Sequence, residues 1–161
     1  MRRLLLLFPF LAAASAASAE AIEGKVVAVA DGDSLTLVDK DAKRHRVRLA
    51  GIDAPERKQA FGAEARKSLA EICLRKTAVV EATEKDSNNR LLGKVRCGEV
   101  DANTEQVRRG MAWVRAGSNL PSSGLTEMET NARLRGIGLW GGEKPEPPWE
   151  WRKRQAAATK K

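Results

Sequence analysis

Two short segments place carboxylates and an arginine at a spacing that suits chemistry on a phosphate ester. Residues 29–34 read V-A-D-G-D-S, and residues 47–56 read V-R-L-A-G-I-D-A-P-E. Carboxylate oxygens are the ligands that Ca²⁺ and Mg²⁺ prefer, and the guanidinium fork of an arginine matches phosphate oxygens. If the fold brings the two segments together, they predict metal-assisted cleavage of a phosphodiester.

The same segments resemble the staphylococcal nuclease family. Two later segments extend the resemblance: residues 89–95 read N-R-L-L-G-K-V, and residues 100–113 contain V-D-A-N followed by V-R-R-G-M-A-W. The similarity runs from about residue 23 to residue 140. A D-G-D turn alone is weak evidence, but the turn together with R-x-x-x-x-D-x-P-E and a later arginine is specific.

The resemblance implies a Ca²⁺ site held by Asp33 and Asp53. Because Ca²⁺ takes about six to eight oxygen ligands, water and the backbone carbonyl of Ala54 are expected to complete the shell. Asp-Gly is also a frequent hairpin signal, so either aspartate taken alone could be only a turn residue. Asp31 either lies just outside the ligand shell or shapes the turn.

Three further residues match catalytic positions of the family. Glu56 is the candidate general base that activates a water for in-line attack on phosphorus; the alternative is an acid at a helix N-terminus. Arg48 and Arg90 match the family's phosphate-binding arginines, whose guanidinium groups stabilise the extra negative charge of the transition state. The alternative for each arginine is a solvated position on a strand.

The chain departs from the family's pattern near the nucleotide. It contains no tyrosine, and residues 87–90 read S-N-N-R where the family's third motif often reads D-x-Y-G-R. Ala54 and Ser34 stand where threonine is common. Base stacking on an aromatic ring contributes about 1–3 kcal/mol per base, so the missing tyrosines are expected to weaken nucleotide binding more than chemistry.

The elements that must position these residues follow from the hydrophobic pattern. Alternating or β-branched stretches predict five strands, at residues 22–30, 34–38, 44–49, 77–83 and 91–95. Helical spacing predicts helices at residues 60–74, 103–109 and 125–135, with Asn103 as the cap of the second. A helix between the third and fourth strands is the order of an OB-fold. The predicted fold class is α+β, a five-stranded OB-fold β-barrel with about three helices.

The N-terminus has the pattern of an export signal. Arg2 and Arg3 precede an apolar run, and residues 17–19 read A-S-A, a small-residue cleavage site. Residues 1–19 are therefore predicted to be a signal peptide, and the mature protein is expected in the periplasm or secreted, without stable membrane insertion. An uncleaved membrane anchor is the alternative.

Residues 20–142 are predicted to form the nuclease-like domain and residues 143–161 a separate tail. Pro145, Pro147 and Pro148 are expected to prevent regular helix or sheet. The basic residues that follow, Arg152 to Arg154 with Lys160 and Lys161, are expected to form a disordered arm that attracts polyanions.

The formal net charge of +8 suits a nucleic-acid partner. The resemblance implies DNA and RNA as substrates, cut to leave 3′-phosphates, with single strands preferred because their bases are accessible. A monomer is expected. Charge alone would equally suit an anionic membrane or a cell-wall polymer.

Cys73 and Cys97 are the two cysteines of the chain. In an oxidising compartment such a pair predicts a disulfide, here between the first helix and a strand. The alternative is two buried thiols that pack as small apolar groups.

Two other functions compete with an exported calcium-dependent nuclease. An OB-fold can bind single strands without cutting them, and the missing tyrosines and Ala54 favour this interpretation. Against it, every charged catalytic position holds an acceptable residue. A basic domain that docks on an envelope polymer is supported by charge alone.

Overall fold

A computed structural model describes residues 21–115, 123–142 and 144–159 of the chain. The predicted signal peptide, residues 1–19, lies outside these ranges, as do Lys160 and Lys161. The strands in chain order are β1 (Ala21–Asp31), β2 (Ser34–Asp39), β3 (Arg44–Leu49), β4 (Ile52–Asp53), β5 (Thr77–Lys85), β6 (Leu91–Cys97), β7 (Val100–Asp101) and β8 (Trp113–Val114).

Five of these strands close into a barrel. Neighbouring strands pair antiparallel in the order β3-β2-β1-β5-β6, and a parallel pairing of β3 with β6 joins the two ends. The short strands β4 and β8 form a separate ribbon. The predicted five-stranded OB-fold barrel and the α+β class are confirmed.

The described residues contain four α-helices, one more than the sequence suggested. They are α1 (Gly62–Cys73), α2 (Ala102–Arg108), α3 (Ser123–Leu134) and α4 (Pro148–Ala158), with a short 3₁₀ turn at Gly138–Gly141. Within the described ranges, none of these helices combines the length and the apolar character needed to cross a membrane.

The barrel interior is filled by the apolar faces of its strands. The alternation predicted for β2 and β3 is observed, because Leu35, Leu37, Val47 and Leu49 are each at most 2% exposed. Helix α1 packs on β1 and adds Leu69 to the same core. This packing fixes the ends of β2 and β3, which carry the predicted site residues.

Helix α2 begins differently from the prediction. Asp101, not Asn103, is the N-cap, and its side chain accepts a hydrogen bond from the backbone N–H of Thr104. Asn103 is buried instead, where its side chain accepts from the N–H of Val95 and donates to the carbonyl of Ala50. The predicted cap was wrong because the side chain of Asn103 bonds the backbone of β6 and of the turn after β3, and not the first turn of α2.

A disulfide joins Cys73, the last residue of α1, to Cys97, the last residue of β6. Both residues are at most 1% exposed. The predicted disulfide is thus present, and the alternative of two separate thiols does not hold.

Candidate active site

One open cavity of about 710 Å³ collects the predicted functional residues at one end of the barrel. Its lining includes Asp33, Arg48, Ala54, Glu56 and Arg90. Asp53 lies directly beneath, bonded to Arg48 and only 1% exposed. Residues that are up to 57 positions apart in the sequence therefore meet at one site.

Strand register explains how Arg48 reaches both aspartates. In the β2–β3 pair, Arg48 lies opposite Ser34, so its side chain is beside Asp33. The tight turn after β3 brings Asp53 back on β4. One atom, Nη2 of Arg48, lies 3.0 Å from Oδ2 of Asp33 and 2.9 Å from Oδ1 of Asp53. The two carboxylates therefore converge on a single point.

Both carboxylates are buried, with Asp33 3% and Asp53 1% exposed. Burial raises the pKa of Asp33 from 3.8 to about 7; the charge of Arg48 opposes this shift and that of Asp31 adds to it. Burial lowers the pKa of Arg48, but Asp33 and Asp53 reverse the effect and raise it above its usual value. Positive charge at this point therefore stabilises the ionised aspartates.

The D-G-D turn is held in place by a residue that the sequence did not single out. Gln106 of α2 is fully buried, and its Nε2 donates to the carbonyl of Gly32 at 2.6 Å and to that of Ala65 at 3.0 Å. A Cβ on Gly32 would lie 2.6 Å from the Cβ atoms of Ala54 and Ala65, so only glycine fits between the two segments. The only sequence signal for Gln106 is its position in the predicted helix. It lies three residues after Asn103 and next to Val107, and both of these residues are also buried.

Asp31 shapes the D-G-D turn and also lines the cavity beside Asp33. Its Oδ1 accepts from the backbone N–H of Asp33 at 3.1 Å. The carboxylate of Asp33 is in turn bonded to the hydroxyl of Ser34 and to the N–H of Ala54, both at 3.0 Å. The hydroxyl of Ser34 thus contacts the site directly.

Arg90 enters the cavity from the turn after β5 and is not a solvated strand residue. Its Nε donates to Oδ2 of Asp86 at 2.8 Å, and its Nη1 donates to Oγ of Ser34 at 3.0 Å. Burial tends to raise the pKa of Asp86. Hydrogen bonds from Arg90 and Asn88 outweigh this effect, so that pKa lies below its usual value. Asp86 was missed in the sequence, although its spacing of four residues from Arg90 was a signal.

Glu56 lies on the loop between β4 and α1, with 34% of its side chain exposed toward the cavity. Helix α1 begins only at Gly62, so Glu56 does not occupy the first turn of a helix. Its backbone is fixed by Gln59, which exchanges hydrogen bonds with it at 2.8 and 3.1 Å. An exposed carboxylate on a fixed loop can accept a proton from a water in the cavity.

Comparison with known proteins agrees with this arrangement. Residues 46–142 match the model of the staphylococcal nuclease homologue family. A Haemophilus influenzae protein named as an uncharacterized endonuclease is 39% identical over 153 residues, which cover 94% of this chain and 83% of that protein. A micrococcal nuclease of Shigella flexneri is 36% identical over 146 residues, covering 84% of this chain and 83% of that protein. The chain belongs to the staphylococcal nuclease family.

Membership in the staphylococcal nuclease family confirms the predicted enzyme class, a nuclease. The matched segment contains Arg48, Asp53, Glu56 and Arg90. Asp33 precedes it, but lies within bonding distance of Arg48 in the structure. The individual roles assigned to these residues stay predictions.

Nucleases of this family use a metal ion, and the chemistry of Asp33 and Asp53 fits one. Their buried carboxylates converge on one positive group, and a bound cation would hold Asp33 ionised despite its burial. Among the described residues, no group of three or more Asp, Glu, His or Cys side chains could hold a metal. The remaining ligands would have to be water and backbone, and Ala54 is adjacent through its bond to Asp33.

The expected disorder of the C-terminal tail was wrong for residues 148–158, which form α4. Pro147 is the N-cap and Pro148 lies in the first turn. Backbone N–H groups of a first turn have no partner within the helix, so a proline there loses no hydrogen bond. The prolines therefore start this helix instead of preventing it. Its Arg152 enters the nuclease site, where it donates to Asp53 and Glu56.

Arg115, just after β8, is a second cation of the site that sequence reasoning missed. It lines the cavity with 58% of its side chain exposed, and its Nη1 lies 3.9 Å from Oδ2 of Asp53. No motif contains Arg115. It comes near Asp53 because Trp113, two residues earlier, pairs with Asp53 in the short β4–β8 ribbon, which is separate from the barrel.

Proposed function

We propose that this chain is an exported, calcium-dependent nuclease that hydrolyses phosphodiester bonds of DNA and RNA, prefers single strands and acts as a monomer. The nuclease class follows from the family. The observation that carries the mechanism is the meeting of two buried aspartates, an exposed glutamate and two arginines around one cavity. Such a set can bind a phosphate, hold a cation and accept a proton.

Asp33 and Asp53 would hold the cation, together with the backbone at Ala54. When bound, Ca²⁺ would supply positive charge to the phosphate and would favour loss of a proton from the attacking water. Glu56 accepts the proton of the attacking water, because its carboxylate is exposed in the same cavity. The water oxygen forms a bond to phosphorus while the bond from phosphorus to the oxygen on the opposite side breaks, and that leaving oxygen takes a proton from solvent.

Arg48 and Arg90 neutralise the negative charge that develops on the phosphoryl oxygens. Arg48 is fixed between two carboxylates, and Arg90 is fixed by Asp86 and Ser34, so neither has to be ordered when substrate binds. Preorganised guanidinium groups stabilise the transition state more than groups that must first reorient. The double anchoring of each arginine supports this role.

The open cavity and its basic rim support a nucleic-acid strand as substrate. Lys85 and Arg115 line the cavity beside the two arginines of the mechanism, and the chain carries a formal net charge of +8. Export is supported by the signal-like residues 1–19 and by the disulfide, since disulfides persist in oxidising compartments.

The first test is hydrolysis of heat-denatured DNA, native DNA and RNA by the mature chain, with Ca²⁺, with Mg²⁺ and with a chelator. We expect cleavage of all three with Ca²⁺, fastest for denatured DNA and RNA, and none with the chelator. Cleavage with Mg²⁺ alone would contradict calcium dependence. Binding of DNA without cleavage under any condition would favour the single-strand-binding alternative.

A further inference from the structure

The two carboxylates closest to the proposed chemistry are both occupied by an arginine from the end of the chain. Nη2 of Arg152 lies 2.7 Å from Oδ2 of Asp53, and Nη1 lies 3.2 Å from Oδ1 of Asp53 and 2.7 Å from Oε1 of Glu56. Arg152 lies ten residues beyond the segment that matches the nuclease family. The family comparison therefore assigns it no role.

The contacts of the C-terminal segment, residues 144–159, show that Arg152 is delivered by a docked helix. Pro148 is buried at the start of α4. The carbonyl of Glu146 accepts from Nε2 of Gln59 at 2.6 Å, which ties the segment to the loop of Glu56. The carboxylate of Glu146 binds Arg154 at 2.7 Å. The contacts of Glu146 and Arg154, which lie before and after Arg152 in the sequence, thus hold α4 so that Arg152 points into the site.

A divalent cation and Arg152 require the same oxygens of Asp53. Both oxygens of that carboxylate accept from Arg152, and one also accepts from Arg48. A cation bound there would bring two more positive charges against both guanidinium groups, and like charges at such distances repel strongly where little water screens them. At least one of the arginine contacts must open when a cation binds.

Arg152 is the arginine that can move. Its side chain is 38% exposed on the outer side of the cavity, whereas that of Arg48 is 15% exposed and belongs to a barrel strand. Leaving Asp53 also frees Oε1 of Glu56, which Arg152 occupies at 2.7 Å. A released guanidinium stays within the cavity where the phosphate must lie, because the phosphorus has to be close to the water that Glu56 activates.

We propose that Arg152 is a substrate-binding residue that exchanges partners: it holds Asp53 and Glu56 while no cation is bound, and it binds the phosphodiester once a cation has taken Asp53. This inference rests on the proposed function, because it assumes a cation at Asp53. It adds a third phosphate-binding arginine to the site. It also makes the C-terminal helix part of the catalytic unit.

The exchange is tested by calorimetric titration of the metal-free protein with Ca²⁺ alone, in the absence of nucleic acid. Arg152→Gln removes the competitor, so we expect Ca²⁺ to bind about tenfold more tightly, within the range of about 5- to 150-fold that coupled sites show. A residue with a merely structural role would weaken Ca²⁺ binding when replaced. Unchanged or weaker binding therefore overturns the proposal.

Lys153→Gln is the matched control, because it removes the same charge from the next residue of α4. Its side chain is 82% exposed and its amine lies 4.0 Å from Glu150, away from the site. We expect its Ca²⁺ affinity to equal that of the unmodified chain. An equal rise in both variants would show a general effect of charge and would overturn the exchange.

The substrate contact is tested by kcat/KM on single-stranded DNA with saturating Ca²⁺. Loss of a hydrogen bond between charged groups predicts a fall of about 10- to 100-fold for Arg152→Gln, a smaller fall for Arg152→Lys, and no change for Lys153→Gln. Tighter Ca²⁺ binding with unchanged kcat/KM would overturn the substrate contact. Tighter Ca²⁺ binding in a chain that never cleaves DNA would overturn the proposed function and leave the exchange supported.

Discussion

The site is assembled from two regions that are built in different ways. The barrel face, which consists of Asp33, Arg48 and Asp53, is positioned by strand pairing, and its carboxylates are at most 3% exposed. The C-terminal segment reaches one of these carboxylates, that of Asp53, through one helix and the side chain of Arg152, which is 38% exposed. The first region has one arrangement fixed by backbone register, whereas the second depends on side-chain contacts that can exchange.

Two kinds of arginine partner allow a buried carboxylate to be both stable and accessible to a ligand. Arg48 provides a permanent positive neighbour for two buried aspartates, as buried charges require. Arg152 provides a second positive neighbour that solvent and ligands can reach. The barrel face thus supplies stability, and the C-terminal segment supplies adaptability at the same carboxylate.

The largest expected effect is at Glu56, where the two regions meet. Glu56→Gln keeps the size of the side chain and an oxygen that can accept from Arg152, but it removes the proton acceptor. General bases contribute about 10²- to 10⁴-fold to rate, so we expect kcat on denatured DNA to fall by that factor while binding changes little. Glu99→Gln, at a side chain 96% exposed, serves as the control. An unchanged kcat would remove Glu56 from its role.

Replacing each arginine in turn and measuring stability without metal separates the contributions of the two regions. Arg48→Gln leaves two buried carboxylates without their permanent partner, which costs about 3–5 kcal/mol of unfolding free energy. Arg152→Gln removes a largely solvated partner and should cost less than about 1 kcal/mol. Urea unfolding at pH 7.5 with a chelator measures both.

Arg46→Gln is the control for this pair, because Arg46 is exposed on the same strand as Arg48. We expect it to leave the unfolding free energy within about 0.5 kcal/mol of the unmodified chain. Equal losses for Arg48→Gln and Arg152→Gln would show that the two regions do not differ in the way described.

The smallest effect concerns the helix that holds the barrel face in place. In α2, a hydrogen bond from Arg108 lowers the pKa of Glu105 from 4.5 to about 2; burial opposes the shift and Arg109 adds to it. A lowered pKa in the folded state stabilises the protein above pH 4.5, and this contribution is lost as the pH falls toward 2. Glu105→Gln should therefore cost about 1 kcal/mol at pH 6.

The destabilisation caused by Glu105→Gln should shrink as the pH falls and disappear near pH 2. Urea unfolding of both chains at pH 6, 4 and 3 measures this decrease. Because Glu105 precedes the buried Gln106, we expect the loss of this contribution in acid to weaken the support that Gln106 gives to the D-G-D turn. A loss that stays constant between pH 6 and pH 3 would contradict the assignment of this pKa.

The barrel face was predictable because its information is local. Alternating apolar residues set the strands, and the turn residues follow them at fixed distances, so the pattern places Asp33 and Arg48 at strand ends, and the family resemblance groups them with Asp53. The disulfide was expected from cysteine count and from the proposed compartment. Arg90 was placed in the site only by its resemblance to the family's third motif.

The C-terminal segment was not predictable because its helix depends on tertiary contacts. Three prolines and a run of basic residues favour irregular chain, and the tolerance of proline in a first turn does not by itself decide that Pro148 begins a helix. The contact between Arg152 and Asp53 spans 99 residues and has no motif. Gln106 was missed for a related reason, since a buried polar residue is recognised only from the backbone groups that it satisfies.

The disulfide between α1 and β6 has a consequence for the cell that makes this nuclease. It closes a loop of 24 residues, and a link of that size contributes about 3 kcal/mol to stability. A reducing cytosol leaves the two thiols separate, so the newly made chain is least stable in the compartment that holds the genome. If the enzyme is exported as proposed, it gains its full stability only after it has left the nucleic acid that its own host must keep intact.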